Sequence, residues 1–173
     1  FEIALTELKK IPNPKLSSTN SDITIYEFFD YNCGYCKSVM QNIFNIYKKD
    51  KKVEIVFVEY PILSNSSLSA AKASLAAKNQ NKYFEFHSKL MKHTGKIDDK
   101  LLLSFAKELK IDTKKLKSDY SNEKLMLIIN KNREIANRLN LRGTPAFIIG
   151  NKIYPGAMSE KDIEKVIALE RKQ

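Results

Sequence analysis

The chain has 173 residues, 43% of them hydrophobic, and a formal net charge of +10 from 30 Lys and Arg against 20 Asp and Glu. That length and apolar content are enough to bury one substantial core without a disulfide framework, so one domain carrying an insertion fits. The basic residues are scattered, mostly lysine and without a dense block, which argues for a solvated surface and against a nucleic-acid face, and no apolar run approaches the ~18 residues of a membrane-spanning helix.

Residues 1–22 carry little pattern. Pro12, Pro14 and the polar run from Ser17 to Asp22 mark them as an N-terminal arm and loop ahead of the first clear element, with the domain proper expected over 23–173. Because position 1 is Phe and not Met, the chain is expected to start after processing or at an artificial boundary; a signal peptide would leave no trace, and localisation has to come from chemistry. Ile23 to Phe29 is β-branched, aromatic and almost continuously apolar, the pattern of a central buried strand. From Tyr35 to about Tyr47, Val39, Met40, Ile43, Phe44 and Tyr47 recur at helical intervals on one face. Val53 to Tyr60 is a second strand closed by Pro61, so strand, helix and strand predict a βαβ unit with a parallel pair.

Between about 66 and 141 strand signals vanish. Helical periods run over Ser67–Lys78, Lys82–His93, Asp98–Lys110 and Asn122–Leu141, and the block reads as a helical insertion. Ala146–Ile149, a Gly150-Asn151 turn and Lys152–Tyr154 then predict a β-hairpin. Ser159 offers an N-cap for a last helix through Ile163, Val166 and Ile167. The fold class expected is α/β.

The only two cysteines stand in Asn32-Cys33-Gly34-Tyr35-Cys36, at the junction of the first strand and its helix. As zinc ligands they would need His87 and His93, which lie far along the chain, with His87 inside a periodic helix. A structural disulfide closing so short a loop would remove almost no chain entropy. A reactive pair remains: the first amides and the dipole of a helix stabilise a thiolate on the first cysteine, so Cys33 is expected to be exposed and nucleophilic and Cys36, one turn in, shielded. Glu27 sits in the most apolar strand, where a carboxylate is costly unless paired or protonated; the plain alternative is a strand glutamate facing solvent.

These stretches are similar to a known family. "ITIYEFFDYNCGYCK", "VEYPILSNSSLSAAKASLAA" and "RGTPAFIIGNKIYPG" together resemble the DsbA family of thioredoxin-fold thiol-disulfide oxidoreductases, over all but the arm and with the insertion where that family places one. The resemblance implies that Gly143-Thr144-Pro145 is a cis-proline loop lying against the active-site disulfide. It implies that Glu27 lies beneath the cysteines and helps move the proton of the buried thiol, with Lys37 a weaker electrostatic contributor. Phe28, Tyr31 and Tyr35 are read as packing or rim residues.

The function expected is disulfide exchange with cysteine-containing exported proteins in a bacterial cell envelope or periplasm, through a mixed disulfide at Cys33 that Cys36 resolves, with no cofactor or metal. A redox partner protein, possible also as a membrane protein, would reset the pair. Gly34-Tyr35 and Thr144 resemble the disulfide isomerases more than the strongest oxidases, so direction stays open between oxidase and isomerase or reductase. The chain offers no separate dimerisation domain, but the arm could oligomerise, as in the trimeric copper-sensitivity-suppressor (ScsC-like) branch. Two other classes stay open: a non-catalytic binding module, which needs no paired cysteines, and a nucleic-acid binder, for which no basic stripe with interleaved aromatics exists.

Overall fold

The computed structural model describes residues 1–173. In chain order the elements are α1 (Glu2–Leu8), β1 (Lys15–Leu16), β2 (Ile23–Phe29), α2 (Gly34–Lys49), β3 (Val53–Glu59), α3 (Asn65–Lys78), α4 (Tyr83–Lys92), α5 (Asp99–Glu108), α6 (Thr113–Tyr120), α7 (Glu123–Arg138), β4 (Ala146–Ile149), β5 (Lys152–Pro155) and α8 (Glu160–Glu170). One sheet runs β1-β3-β2-β4-β5. β2 and β3 are the parallel pair joined through α2, and β4 and β5 add to β2 as an antiparallel hairpin. The helices α3–α7 fill the gap between β3 and β4, which is the α/β architecture with an inserted helical block that the pattern predicts.

Alternation along the strands assigns the two faces. Ile25, Phe29, Ile55, Phe57 and Phe147 point into the larger core, which α2, α8 and the insertion cover. Tyr26, Phe28, Val56, Val58 and Ile148 point the other way, onto α1 and the C-terminal half of α7. Ser159 Oγ accepts the Asp162 amide at 3.1 Å, and this cap starts α8 where the sequence places it. Gly150 turns the hairpin at φ 59, a conformation that disfavours side chains.

Two elements go beyond the sequence pattern. The arm carries α1, whose buried stripe of Ala4, Leu5 and Leu8 is too short to register as a period, and β1, which pairs antiparallel with β3. The arm is also fastened by Asn13 and Asn132, buried and exchanging amide hydrogen bonds of 3.0 and 2.9 Å. The second is α6, a helix within the expected insertion that has a single buried apolar residue, Leu116; its visible signal is Asp112, whose carboxylate caps Lys114 and Lys115 at 3.0 and 3.1 Å.

Candidate active site

The chain leaves β2 at Phe29 and turns through Asp30, Tyr31 and Asn32, where the Asp30 carbonyl accepts the Cys33 amide at 3.0 Å. Cys33 is the N-cap of α2, and its Sγ accepts the Cys36 amide at 3.1 Å. The sulfur thus stands where a serine or aspartate oxygen would cap a helix, at the positive end of the helix dipole. Contrary to expectation, Cys33 is only 6% exposed. The reason lies across the cleft: the Thr144–Pro145 peptide bond is cis and its segment lies against the sulfur, with the Cys33 thiol donating to the Thr144 carbonyl at 3.4 Å. Cys36 is fully buried.

The two sulfurs are electrostatically unlike. The hydrogen bond from the Cys36 thiol, helped by Thr144 and the Cys36 amide, lowers Cys33 to about 6 against the opposing pull of burial and of the Asp30 charge. Burial, then the hydrogen bond given to Cys33, pushes Cys36 far up. One thiolate therefore forms near neutral pH, and it is the outer one.

Glu27 is 1% exposed, which excludes the solvent-facing reading. It shares the strand face of Ile25 and Phe29, so its carboxyl points to the side that α2 covers. Neither of its oxygens has a hydrogen-bond partner. Burial, and after it the nearby Cys33 charge, raises its pKa to about 8. Lys37 is held away from a purely electrostatic role because its Nζ donates to the His93 carbonyl; burial lowers its pKa while Asp30 and Cys33 pull the other way. Gly34 and Tyr35 are exposed, Tyr35 by 73%, and form the rim of the turn. Phe28 packs edge-on to Tyr60 on the opposite side of the sheet.

Sequence reasoning missed two polar clusters. Of the packing and rim readings Tyr31 takes the packing one, with a polar contact added: fully buried, its hydroxyl donates to Glu59 Oε1 at 2.9 Å and lies 2.8 Å from His87 Nδ1. Tyr83 adds a second bond to Glu59 Oε1 at 2.8 Å. Burial lowers His87 to about 3, leaving it neutral. His93 faces the Lys96 carbonyl instead, so the zinc set weighed above is not assembled, and no three His, Cys, Asp or Glu side chains gather to hold a metal. The second cluster centres on Asp30, whose carboxylate is buried under the turn. An acid next to two phenylalanines was the available signal for it.

A thioredoxin family model matches residues 13–168. The chain belongs to that family. Among solved structures, this thioredoxin-family chain is similar to a thioredoxin-like oxidoreductase from Silicibacter pomeroyi DSS-3, with 33% identity, 97% of each chain covered and a TM-score of 0.92. It is also similar to the thiol-disulfide exchange protein alpha-DsbA2 from Wolbachia pipientis, with 29% identity, 97% and 92% coverage and a TM-score of 0.91. Disulfide bond formation protein D of Bacillus subtilis is 26% identical over 171 residues, covering 92% of this chain and 77% of that one. With the Cys33–Cys36 pair in place, the family member described here is a DsbA-type thiol-disulfide oxidoreductase.

Proposed function

We propose that this oxidoreductase works in the bacterial cell envelope on exported, cysteine-containing proteins, with Cys33 as the attacking sulfur, Cys36 as the resolving one, Glu27 as the proton-holding group and Thr144–Pro145 as the surface against which the client sulfur docks. The observation that carries the assignment of roles is the asymmetry of the pair: Cys33 Sγ capped by the Cys36 amide at 3.1 Å beside an entirely enclosed Cys36.

In the reducing direction the Cys33 thiolate attacks one sulfur of a client disulfide. The client S–S bond breaks, one client thiolate leaves, and a mixed disulfide joins Cys33 to the client. Cys36 then loses its proton and attacks Cys33 Sγ, releasing the second client thiolate and closing the Cys33–Cys36 disulfide; two electrons pass to the client. The oxidising direction is the reverse. When Cys33 enters the mixed disulfide its charge disappears, and with it one of the influences that raise both Glu27 and Cys36. Both groups then ionise more easily at the moment when Cys36 must give up its proton.

Oxidation and isomerisation differ in when the client leaves. Gly34-Tyr35 between the cysteines and Thr144 resemble the residues of the disulfide isomerases, and Thr144 is expected to favour release before resolution, which supports the isomerase reading as the second one. No nucleic-acid role is invoked; a separate redox protein, membrane-bound in the simplest arrangement, would reset the pair.

Insulin reduction measured beside refolding of scrambled ribonuclease tests both activities. Cys33→Ser should abolish both, whereas Cys36→Ser should accumulate mixed disulfides. Limiting iodoacetamide at neutral pH should modify Cys33 well before Cys36. Preferential labelling of Cys36 would reverse the roles.

A further inference from the structure

Asp30 is a buried carboxylate three residues before the attacking cysteine, and it takes no part in the exchange described above. Its Oδ1 accepts the Asn32 amide and the Ser67 hydroxyl, both at 2.7 Å. Its Oδ2 accepts the Ile62 and Leu63 amides at 2.8 and 2.9 Å. The four donors come from three separate places: the redox turn, the loop after β3 and the first turn of α3. Asn32 extends the same junction, its Nδ2 donating to Ser64, Ser66 and Ser67 at 3.1, 3.0 and 2.8 Å.

The junction has two consequences. Drawing the Ile62 and Leu63 amides inward turns their side chains outward, and they stay 41% and 55% exposed, two of the few large apolar groups left facing solvent. They flank the turn that carries Cys33. In addition, the Asp30 charge acts against the Cys33 thiolate. A carboxylate placed here for stability alone is a poor choice, because it costs desolvation and opposes the ion the site must form. Four hydrogen bonds repay the first cost. The second remains, and it limits how strongly the reduced form is favoured.

We infer that Asp30 is a positioning residue that locks the apolar Ile62–Leu63 loop to the redox turn and, by its charge, moderates the oxidising strength of the Cys33–Cys36 pair. The loop then presents an apolar surface to a client chain beside its cysteine. The charged and titratable groups that share the Asp30 field are Cys33 and Lys37 on α2 and Glu59 on β3. The client-facing half of the inference rests on the proposed function; the electrostatic half does not.

Asp30→Asn in the full chain removes the charge and leaves one oxygen to serve donors that now use two. The ultraviolet thiolate titration of Cys33 should move to lower pH. The equilibrium with glutathione should shift toward the reduced protein by less than tenfold, under about 30 mV, because the Asp30 charge is the least of the influences on Cys33. Amide exchange at Ile62 and Leu63 should accelerate, and KM for insulin should rise more than kcat falls. Ser67→Ala removes one donor and no charge, so it should accelerate exchange at the two amides while leaving the thiolate midpoint in place. An Asp30→Asn protein with an unmoved midpoint and unchanged amide exchange overturns the inference. So does a Ser67→Ala protein whose midpoint moves as far as that of Asp30→Asn. Should Asp30→Asn not fold, Ser67→Ala and Asn32→Ala decide the clamp by amide exchange: acceleration at Ile62 and Leu63 supports it and none removes it. A wild-type protein inert toward insulin would sink the proposed function but leave the titration and amide exchange fully readable.

Discussion

Glu27 and Glu59 stand on neighbouring parallel strands, on the same face of the sheet and each 1% exposed. Their surroundings differ. Glu59 has two tyrosine hydroxyls on one oxygen and a histidine behind them, whereas neither oxygen of Glu27 has a partner. Burial raises both; the Cys33 charge adds to it at Glu27, and the Asp30 and Glu27 charges add to it at Glu59. The difference separates two uses of a buried acid. Glu59 is a structural hub whose bonds hold Tyr31, and through Tyr31 the redox turn, against α4. Glu27 is left unsatisfied within the field of Cys33, the kind of buried acid that the proposed proton role would use.

The largest expected effect sharpens the Glu27 side. Its folded pKa of about 8 lies above the unfolded value near 4.5, so the folded state holds a proton that the unfolded state has already released. Stability contributed by this group is complete below pH 4.5, falls as pH rises, and is lost by pH 8, a difference on the order of 5 kcal/mol if the whole shift is realised. Glu27→Gln has no such loss. Its advantage over wild type in urea unfolding of the reduced protein should be small at pH 4.5 and grow to its maximum near pH 8. Cys33, lowered to about 6, stabilises the folded state in the opposite sense as pH rises, but it is common to both proteins and largely cancels in the difference. The same variant should resolve its mixed disulfide tenfold to a hundredfold more slowly, near the lower end of what acid–base groups contribute. A pH-independent advantage together with unchanged stopped-flow resolution would return Glu27 to ordinary packing.

Glu59 should behave the other way. Glu59→Ala strands the Tyr31 and Tyr83 hydroxyls in the core and should cost roughly 3 kcal/mol. Thermal unfolding should show this as a fall of about 10 °C. Glu59→Gln keeps an acceptor oxygen and should lose much less. Equal losses for Ala and Gln would mean that charge, not the hydrogen bonds, is what Glu59 supplies.

How much of this was legible depends on range. β2, β4, the α2 stripe and the Ser159 cap follow from neighbours in sequence, and the structure places them where the periods do. The Cys33–Cys36 pair was readable because a short motif carries its chemistry, whereas the cis Pro145 loop came from the family resemblance alone. What could not be read is set by distance along the chain. Tyr31, Glu59, Tyr83 and His87 meet only after β2, β3 and α4 pack, so Tyr31 reads as packing and His87 as an ordinary helix residue. Asp30 is likewise one acid among twenty until the Ile62 and Leu63 amides turn toward it. The burial of Cys33 is illegible for the same reason: the Thr144 carbonyl that covers it comes from beyond the insertion. In α1, by contrast, the signal is local but only about two turns long.

The smallest effect comes from outside the core, and it asks whether the interior acids alone tune the sulfurs. Tyr35 is 73% exposed and carries no charge, so α2 stabilises the Cys33 thiolate through its capping bonds and dipole without an imidazolium between the cysteines. The reduction potential is therefore expected between the roughly −270 mV of thioredoxin and the roughly −120 mV of the strongest DsbA oxidants. Tyr35→His places a group that is partly cationic near pH 6.5 next to the thiolate, favouring the reduced state. Because that side chain is solvated, the gain should stay near tenfold in the glutathione equilibrium, about 30 mV toward stronger oxidation. Scrambled-ribonuclease activity should fall as oxidase activity rises. The shift should also fade above pH 7 as the imidazole loses its proton, a signature that neither Glu27→Gln nor Glu59→Gln can produce. A wild-type potential already near −120 mV, or a Tyr35→His shift in the reducing direction, would place control of direction with the buried carboxylates and leave the residues between the cysteines as rim.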